Sequence, residues 1–471
     1  MIAVQAPRIT LPQLAQWSAG DLVVPAVPDD PAAREALLRS GVAGASIDSR
    51  TIEPGELFVP LPGAHADGHG FIAQAFARGA GAALCEIDRH GALRGRKAGP
   101  LVLVKNATIA LAMIAHHYRE GWTGLLVGVT GSSGKTTTKD LVASAFATAV
   151  PTLRTEGNLN NHWGVPLTLM RLEPAHRVAV VEIAMNAPGE IEELTQIAVP
   201  GAAIVTNAGR AHLERFGTVA AIAREKAAIA AHLAPHEVAF IGADAPELRE
   251  AARRLPCRVV TYGFTDDADV RPQSVDDLGP EGSRFTVAGF PPVRLRLIGR
   301  HMVANALAAI AVARQYGLDP DAVAQALEAH VPARGRMERR TARGATLLVD
   351  CYNANPDATR AALETLAAWP GAVRRIAVLG DMLELGGGAP ALHAETGAAV
   401  KDAELWAVGA HAADYAAGAR RAGVETRTFA SREDARDALR EALGPGVVVL
   451  VKASRGAALE RVLEGLEEEE A

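Results

Sequence analysis

The stretch Leu125-Leu126-Val127-Gly128-Val129-Thr130-Gly131-Ser132-Ser133-Gly134-Lys135-Thr136-Thr137 constrains the fold more than any other part of this chain. Its apolar opening, rich in Val and Leu, reads as a buried strand. A turn with two glycines follows, and Lys-Thr then opens a helical stretch. A strand, a glycine turn and a helix in that order build a phosphate cradle. Glycine lets backbone N–H groups approach an anion, and the helix N-terminus adds a favourable dipole. Lys135 is placed to reach terminal phosphates, and the Thr136 hydroxyl to hold Mg²⁺. Thr130, Gly131, Ser132, Ser133, Gly134 and Thr137 complete the candidate nucleotide loop. The generic loop has Gly five positions before the Gly-Lys pair, where this chain has Val129.

The 471 residues allow roughly three domains of ~150 residues. Hydrophobic residues at 49% and charged residues at 22% suit a protein with a large core. The formal net charge of −6 gives no electrostatic reason to expect nucleic acid as a partner. Met1–Gly20 lacks a basic start before an apolar core, and no apolar run approaches the ~20 residues that cross a bilayer. Cys85, Cys257 and Cys351 are far apart and show no metal spacing, as for reduced thiols in a cytoplasm. The chain is therefore expected to be cytoplasmic, away from membranes, and a monomer. The run Glu467–Glu470 reads as a solvated tail.

Three blocks follow from the pattern of apolar runs. Residues 1–105 form a small α/β domain, with strands at Leu57–Leu61, Ala82–Glu86 and Leu101–Val104 and a helix over Phe71–Arg78. Gly68–Ala73 formally fits Gly-x-Gly-x-x-Ala, but a polar loop detaches it from the preceding strand, which weakens a dinucleotide reading. Residues 106–332 open with a helix at Thr108–Arg119 and carry the phosphate loop. They alternate apolar runs (Val178–Ile183, Ala202–Val205) with helices (Ala220–His232, Ala304–Tyr316), which implies a parallel sheet covered on both faces. Arg284–Leu297 has the alternation of an antiparallel addition. Residues 333–471 repeat a Rossmann-like pattern, with strands at Thr346–Val349, Ile376–Leu379 and Val447–Val451, each followed by a turn and a helix, but without a glycine-rich loop.

In such sheets ligands sit at the carboxyl ends of strands. Glu182 ends one strand and His212 follows the next, so both are candidates to join Thr136 in holding Mg²⁺. On residues alone, the weaker alternatives are that Glu182 caps a helix and that His212 is an ordinary loop histidine. Lys226 by itself reads as a solvated lysine. Gly157–Asn161 packs three asparagines into five residues. Asp350 closes a strand where a carboxylate commonly takes a ribose hydroxyl, and Lys452–Gly456 offers cationic groups to an anionic substrate.

Together these stretches resemble the Mur ligase family, ATP-dependent amide-forming enzymes of peptidoglycan precursor synthesis. The resemblance rests on Thr130–Thr137 with its unusual spacing, Asp48-Ser49-Arg50, Gly157–Asn161 with Gly164-Val165-Pro166, and Ala211–Glu214 with Phe216-Gly217. Tyr352–Asn355, Gly380–Gly386 and Val451–Arg455 add to it. It covers essentially the whole chain and is greatest to the branch that takes D-alanyl-D-alanine as the incoming amine. It implies a ligase that consumes ATP with Mg²⁺ and joins that dipeptide to UDP-MurNAc-tripeptide through an acyl phosphate, with consequences for cell-wall biogenesis, cell shape and division. It assigns Ser49 and Arg50 to the UDP end of the muropeptide, and Asn158, Asn160 and Asn161 to its peptide. Lys135, His212, Lys226 and Arg336 become catalytic candidates, with Lys226 open to carbamylation. Asn305 would read the adenine, Arg336 and Asp350 would close on phosphates and ribose, and Asn353, Asn355 and Arg455 would face the dipeptide.

The chain departs from the family pattern at Ala184 (usually Gly), Met302 (Asn) and Cys351 (Ser), none of which removes a charged group. Three rivals are weaker. The meso-diaminopimelate-adding ligase carries Asp-Asn-Pro-Arg, absent here. Folylpolyglutamate synthetase has Gly-Ser after the loop lysine, against Thr136-Thr137. A regulatory nucleotide-binding module would not need the other stretches together.

Overall fold

The computed structural model describes residues 9–24, 30–63, 66–93 and 99–466; the Glu467–Glu470 tail lies outside them. The chain packs as two compact units: residues 1–128 with 150–185 and 190–202, and residues 129–149 with 186–189 and 203–471.

In the first unit β1 (Ile9–Thr10) pairs antiparallel with β3 (Gly41–Val42). A five-stranded sheet has the order β2-β7-β6-β5-β4, from β2 (Asp21–Val23), β4 (Ala45–Ser46), β5 (Leu57–Phe58), β6 (Ala82–Glu86) and β7 (Leu101–Val104). It is parallel except for β2. Ile52, Phe58, Ile72, Ala75, Ala83, Cys85 and Leu101 pack as one of its cores. The strand expected over Leu57–Leu61 ends at Phe58, because Pro60 has no N–H to give a ladder. Gly68–Phe71 is a 3₁₀ turn whose His69 N–H is capped by the Asp67 carboxylate (3.0 Å), so the dinucleotide pattern there is local turn chemistry. A helix follows at Ile72–Ala77, and another at Ala107–Glu120.

The central sheet has the order β13-β12-β11-β8-β10-β9, from β8 (Leu125–Thr130), β9 (Thr152–Arg154), β10 (Val178–Glu182), β11 (Ala202–Val205), β12 (Val238–Gly242) and β13 (Arg258–Tyr262). Its pairs β9/β10 and β12/β13 are parallel. Every residue of β10, β11 and β12 is buried, as strands covered on both faces must be. β14 (Pro272–Asp277), β15 (Ser283–Val287) and β16 (Phe290–Leu295) form the antiparallel addition expected over Arg284–Leu297.

The last sheet has the order β17-β18-β22-β19-β20-β21, from β17 (Glu338–Ala342), β18 (Ala345–Val349), β19 (Arg374–Leu379), β20 (Glu404–Val408), β21 (Thr426–Phe429) and β22 (Val447–Lys452). Only β17 runs antiparallel, as the Rossmann-like reading requires. Some limits differ from expectation. The Ala304–Tyr316 helix starts a turn earlier, at Arg300, because Met302 and Val303 extend its buried face. The Ala220–His232 helix ends at Ala227 and tightens to a 3₁₀ turn through Ala230. Among the described residues no α-helix follows β22; 3₁₀ turns at Arg455–Ala457 and Leu459–Leu463 take its place.

Candidate active site

The phosphate loop closes β8. Thr130 is fully buried, and its hydroxyl has no partner among the described residues. Gly131 (φ 152°) and Gly134 (φ 76°) leave no room for a side chain: a Cβ would lie 1.8 Å from Thr206 Oγ1 at the first and 2.5 Å from Asn305 Oδ1 at the second. Glycine is therefore demanded by both space and backbone. Gly134 N-caps the Lys135–Ala147 helix without a side-chain acceptor, which leaves the helix's first N–H groups to an anion.

The loop is fastened by the segment after β11. Thr206 Oγ1 donates to the Ser133 carbonyl (2.6 Å). The Asn207 side chain accepts from Ser133 N–H (3.0 Å) and donates to Ser133 Oγ (3.0 Å) and its carbonyl (3.2 Å). Ser132 N–H donates to the Asn207 carbonyl (3.1 Å), and Ser132 Oγ accepts from Gly209 N–H (2.9 Å). The sequence around Asn207 gives no signal of this role, because only the fold brings the residue under the loop. Lys135 Nζ donates to the Gly131 carbonyl (2.9 Å), which folds its ammonium back over the loop. Arg336 Nη2 donates to Thr136 Oγ1 (2.8 Å), and its guanidinium lies 3.9 Å from the Tyr352 ring centroid, a cation–π geometry. The structure thus joins Lys135, Thr136 and Arg336 in one cluster.

Asn305 is buried beside the loop, its Oδ1 accepting from Thr138 Oγ1 (3.2 Å). Its amide donates to the sulfur of Met302 (3.7 Å), so the residue that departs from the family pattern still orients Asn305. Asp350 accepts from Met337 N–H (3.2 Å) and from Lys452 Nζ (2.5 Å). Lys452 is 3% exposed and committed to this pair, a correction to the expectation that it is presented to an anionic substrate. The Cys351 thiol donates to the Val451 carbonyl (3.2 Å), and burial pushes it up to about 12, so it is inert.

Lys226 is 1% exposed, which overturns the solvated reading its sequence context gives alone. Burial first, and the charge of Lys135 second, push its amine well below the usual lysine range against a smaller pull from Glu225. Both effects favour the uncharged amine over the ammonium. His212 takes a left-handed conformation (φ 59°), and its Nδ1 lies 2.5 Å from a Glu384 carboxylate oxygen.

In the first unit, Glu182 is 1% exposed, its N–H donates to Thr155 Oγ1 (3.0 Å), and its carboxylate accepts from Asn160 Nδ2 (2.7 Å). Asn161 caps the Gly164–Leu169 helix through Gly164 N–H (2.9 Å), and Asn158 offers its carbonyl to Asn160 N–H (2.8 Å). The asparagine cluster is a built loop ending at Glu182. Ala184 N–H donates to the Asn160 carbonyl (2.9 Å) and continues it. Ser49 is buried, with its hydroxyl on Gln74 (3.1 Å). Arg50 is exposed and held by Asp48, whose carboxyl falls to about 2 chiefly through those hydrogen bonds. Asn355 is buried as the N-cap of the Pro356–Ala367 helix, and Asn353 Oδ1 accepts from Ala354 N–H (2.9 Å). Of the three dipeptide candidates, Asn353 and Arg455 are exposed; the Arg455 guanidinium lies 5.9 Å from the Tyr352 ring.

Among the described residues no three His, Cys, Asp or Glu side chains converge as a metal group. A hydroxyl such as that of Thr136, supplemented by phosphate oxygens, waters and a carboxylate, is nonetheless the open set that Mg²⁺ prefers.

Family models match along the chain: "Mur ligase family, catalytic domain" over residues 41–119, "Mur ligase middle domain" over 129–313 and "Mur ligase, glutamate ligase domain" over 335–455. The chain belongs to the Mur ligase family. It is 34% identical to the UDP-N-acetylmuramoyl-tripeptide–D-alanyl-D-alanine ligase of Bacillus subtilis (strain 168), over 90% of this chain and 93% of that one. Its fold matches a crystal structure of MurF from Acinetobacter baumannii with a TM-score of 0.83 at 30% identity, covering 97% of this chain and 98% of the other. MurF ligase from Thermotoga maritima in complex with ADP matches with a TM-score of 0.77 at 28% identity, over 90% and 97%. The three-domain α/β fold expected from the sequence is that of these ligases. Among the described residues no helix is long and apolar enough to cross a membrane.

Proposed function

We propose that this Mur ligase joins D-alanyl-D-alanine to UDP-MurNAc-tripeptide with consumption of ATP, to form UDP-MurNAc-pentapeptide. The reading is carried above all by the glycine-shaped loop on which Lys135 and Arg336 converge around Thr136. The relatives named for this reaction support it along nine-tenths of the chain. Residues 1–105 then hold the UDP-muropeptide, with Ser49 and Arg50 at the nucleotide end. Residues 106–332 bind ATP, and residues 333–471 supply Arg336, Asp350 and the dipeptide side.

A carboxylate does not acylate an amine in water, because oxide is a poor leaving group. Attack of the tripeptide carboxylate oxygen on the γ-phosphorus forms an O–P bond, releases ADP and leaves an acyl phosphate. The deprotonated dipeptide amine then adds to the acyl carbon. The tetrahedral adduct collapses, its C–O bond to phosphorus breaks, and phosphate departs with that oxygen. Both steps bring anions together, so the catalytic requirement is positive charge fixed in advance. Lys135 and the helix N-terminus hold the transferring phosphoryl group. Arg336, stiffened by Tyr352, neutralises charge beside Thr136. Thr136 and His212 would hold Mg²⁺, which would supply Lewis-acid stabilisation of the phosphate oxygens. Burial that disfavours the ammonium form of Lys226 suits carbamylation, and a carbamate there would be an anion able to bind metal. Asn158, Asn160 and Asn161 would orient the peptide, and Asn305 the adenine.

The test is phosphate release with UDP-MurNAc-tripeptide, with and without D-alanyl-D-alanine. Release that depends on the dipeptide, with one amide formed per phosphate, is expected. Release supported equally by meso-diaminopimelate and the corresponding dipeptide substrate, or by neither, would refute it.

A further inference from the structure

The segment 206–217 carries more than His212. Its first part fastens the phosphate loop, through Thr206, Asn207 and Gly209. Its second part is gripped from the last block of the chain. Asp357 accepts from Arg210 N–H (2.7 Å), Nε (3.0 Å) and Nη2 (2.8 Å), and Glu395 accepts from Arg210 Nη1 (2.9 Å) and from Arg360 (2.5 Å). Glu384 receives Glu214 N–H on its carbonyl (3.2 Å) while its carboxylate meets His212 Nδ1 at 2.5 Å. The fit is close, since a Cβ on Gly386 would lie 3.1 Å from the Glu214 Cα.

The Glu384 carboxylate at Nδ1 orients the His212 ring so that Nε2 lies on its far side. A histidine backed by a carboxylate in this way is the arrangement found at metal sites, where the backing group fixes the ring's orientation and tautomer. Glu384 is itself seated: Leu383 N–H donates to Ser454 Oγ (3.0 Å), and Met382 N–H donates to the Nε2 of the buried His393 (3.0 Å).

We propose that Glu384 is a positioning residue for His212, and that the Arg210–Asp357–Glu395 pairs hold the segment where this contact forms. Divalent-cation binding beside the phosphate loop thereby becomes conditional on the last block being docked. The inference rests on the reading of His212 as a metal ligand, and neither the sequence signal nor the family assignment names Glu384.

The experiment titrates full-length protein with Mn²⁺ in the presence of ADP and follows free Mn²⁺ by electron paramagnetic resonance. ADP affinity without metal and thermal melting are measured alongside. Glu384→Ala is expected to weaken Mn²⁺ by about 10–100-fold, as loss of a backing carboxylate does at other metal sites. Metal-free ADP affinity and melting should stay at the wild-type values. Glu384→Gln, which keeps an acceptor for Nδ1–H, should recover most of the loss. His212→Ala serves as the reference. If it weakens Mn²⁺ while Glu384→Ala does not, this proposal is overturned and the metal reading stands. If neither does, the metal reading of His212 falls as well. If Glu384→Ala lowers metal-free ADP affinity and melting in step with Mn²⁺ binding, its role is structural and the proposal is again overturned.

Discussion

Replacing Asn207 by alanine isolates how much of nucleotide binding depends on holding the phosphate loop in shape. The side chain makes three hydrogen bonds, all to Ser133: one accepted from its N–H and two donated to its carbonyl and hydroxyl. The backbone bond from Ser132 N–H to the Asn207 carbonyl survives the change. Each lost bond is worth about 0.5–1.5 kcal/mol net, a total of roughly 2–4 kcal/mol. Ser133 is only half-buried, so water compensates in part, and about 1.5–3 kcal/mol remains as the cost of ordering the loop around phosphate. ADP affinity should then fall by about 10–100-fold, as read by titration calorimetry without metal. Because the segment keeps its Thr206, Gly209 and Arg210 contacts, melting should move by less than about 5 °C. Asn207→Asp should be worse than alanine: it keeps the acceptor but turns the donor into an anion facing the Ser133 carbonyl and the incoming phosphates. ADP affinity within about twofold of wild type for both variants would refute the reasoning.

Other expectations follow from single features. Lys135→Ala should keep its melting temperature and lose turnover by about two orders of magnitude or more, since a preorganised charge on the transferring group is removed; wild-type-like ATP consumption would contradict its assignment. Gly164→Ala would place a Cβ 2.1 Å from the Leu159 backbone, so melting should drop by several degrees and the muropeptide KM should rise. Unchanged melting would count against the packing described for the asparagine loop. His393 is neutral in the fold, pushed below the usual histidine range by burial, with Nε2 accepting from Met382 N–H. The unfolded chain therefore binds the extra proton once pH drops below about 6.5, and the stability this site contributes is full above that value and shrinks as pH falls toward the depressed folded pKa. Chemical denaturation between pH 7.5 and 5 should show that slope, and His393→Gln should flatten it. Labelled bicarbonate should give a carbamate carbon signal in the wild type that is absent in Lys226→Met; no signal in either would remove the carbamate from the mechanism.

The architecture was largely readable because its strands announce themselves. β8, β10, β11, β18, β19 and β22 are dominated by apolar residues, as buried parallel strands have to be. β13 and β21 escaped because polar residues interrupt them, as Arg258 and Thr261 do in one and Thr426 and Arg427 in the other. The phosphate loop was legible to the residue, since its chemistry is local. Partners distant along the chain were not. Nothing adjacent to Asn207, Glu384 or Asp357 says that they meet Ser133, His212 and Arg210. Lys226 and Lys452 look like surface lysines until the fold buries them, Lys452 against Asp350. Charge in a sequence tells what a side chain can do, and burial decides whether it does it.

The most direct test of the reaction follows oxygen. With ¹⁸O placed in the terminal carboxylate of UDP-MurNAc-tripeptide, each turnover with ATP and D-alanyl-D-alanine should deliver one ¹⁸O to the released phosphate. The other should stay in the new amide, because the carboxylate oxygen that attacks phosphorus leaves with it. Amide formation accompanied by unlabelled phosphate would contradict activation at the acid and, with it, the chemistry assigned to the Lys135 loop.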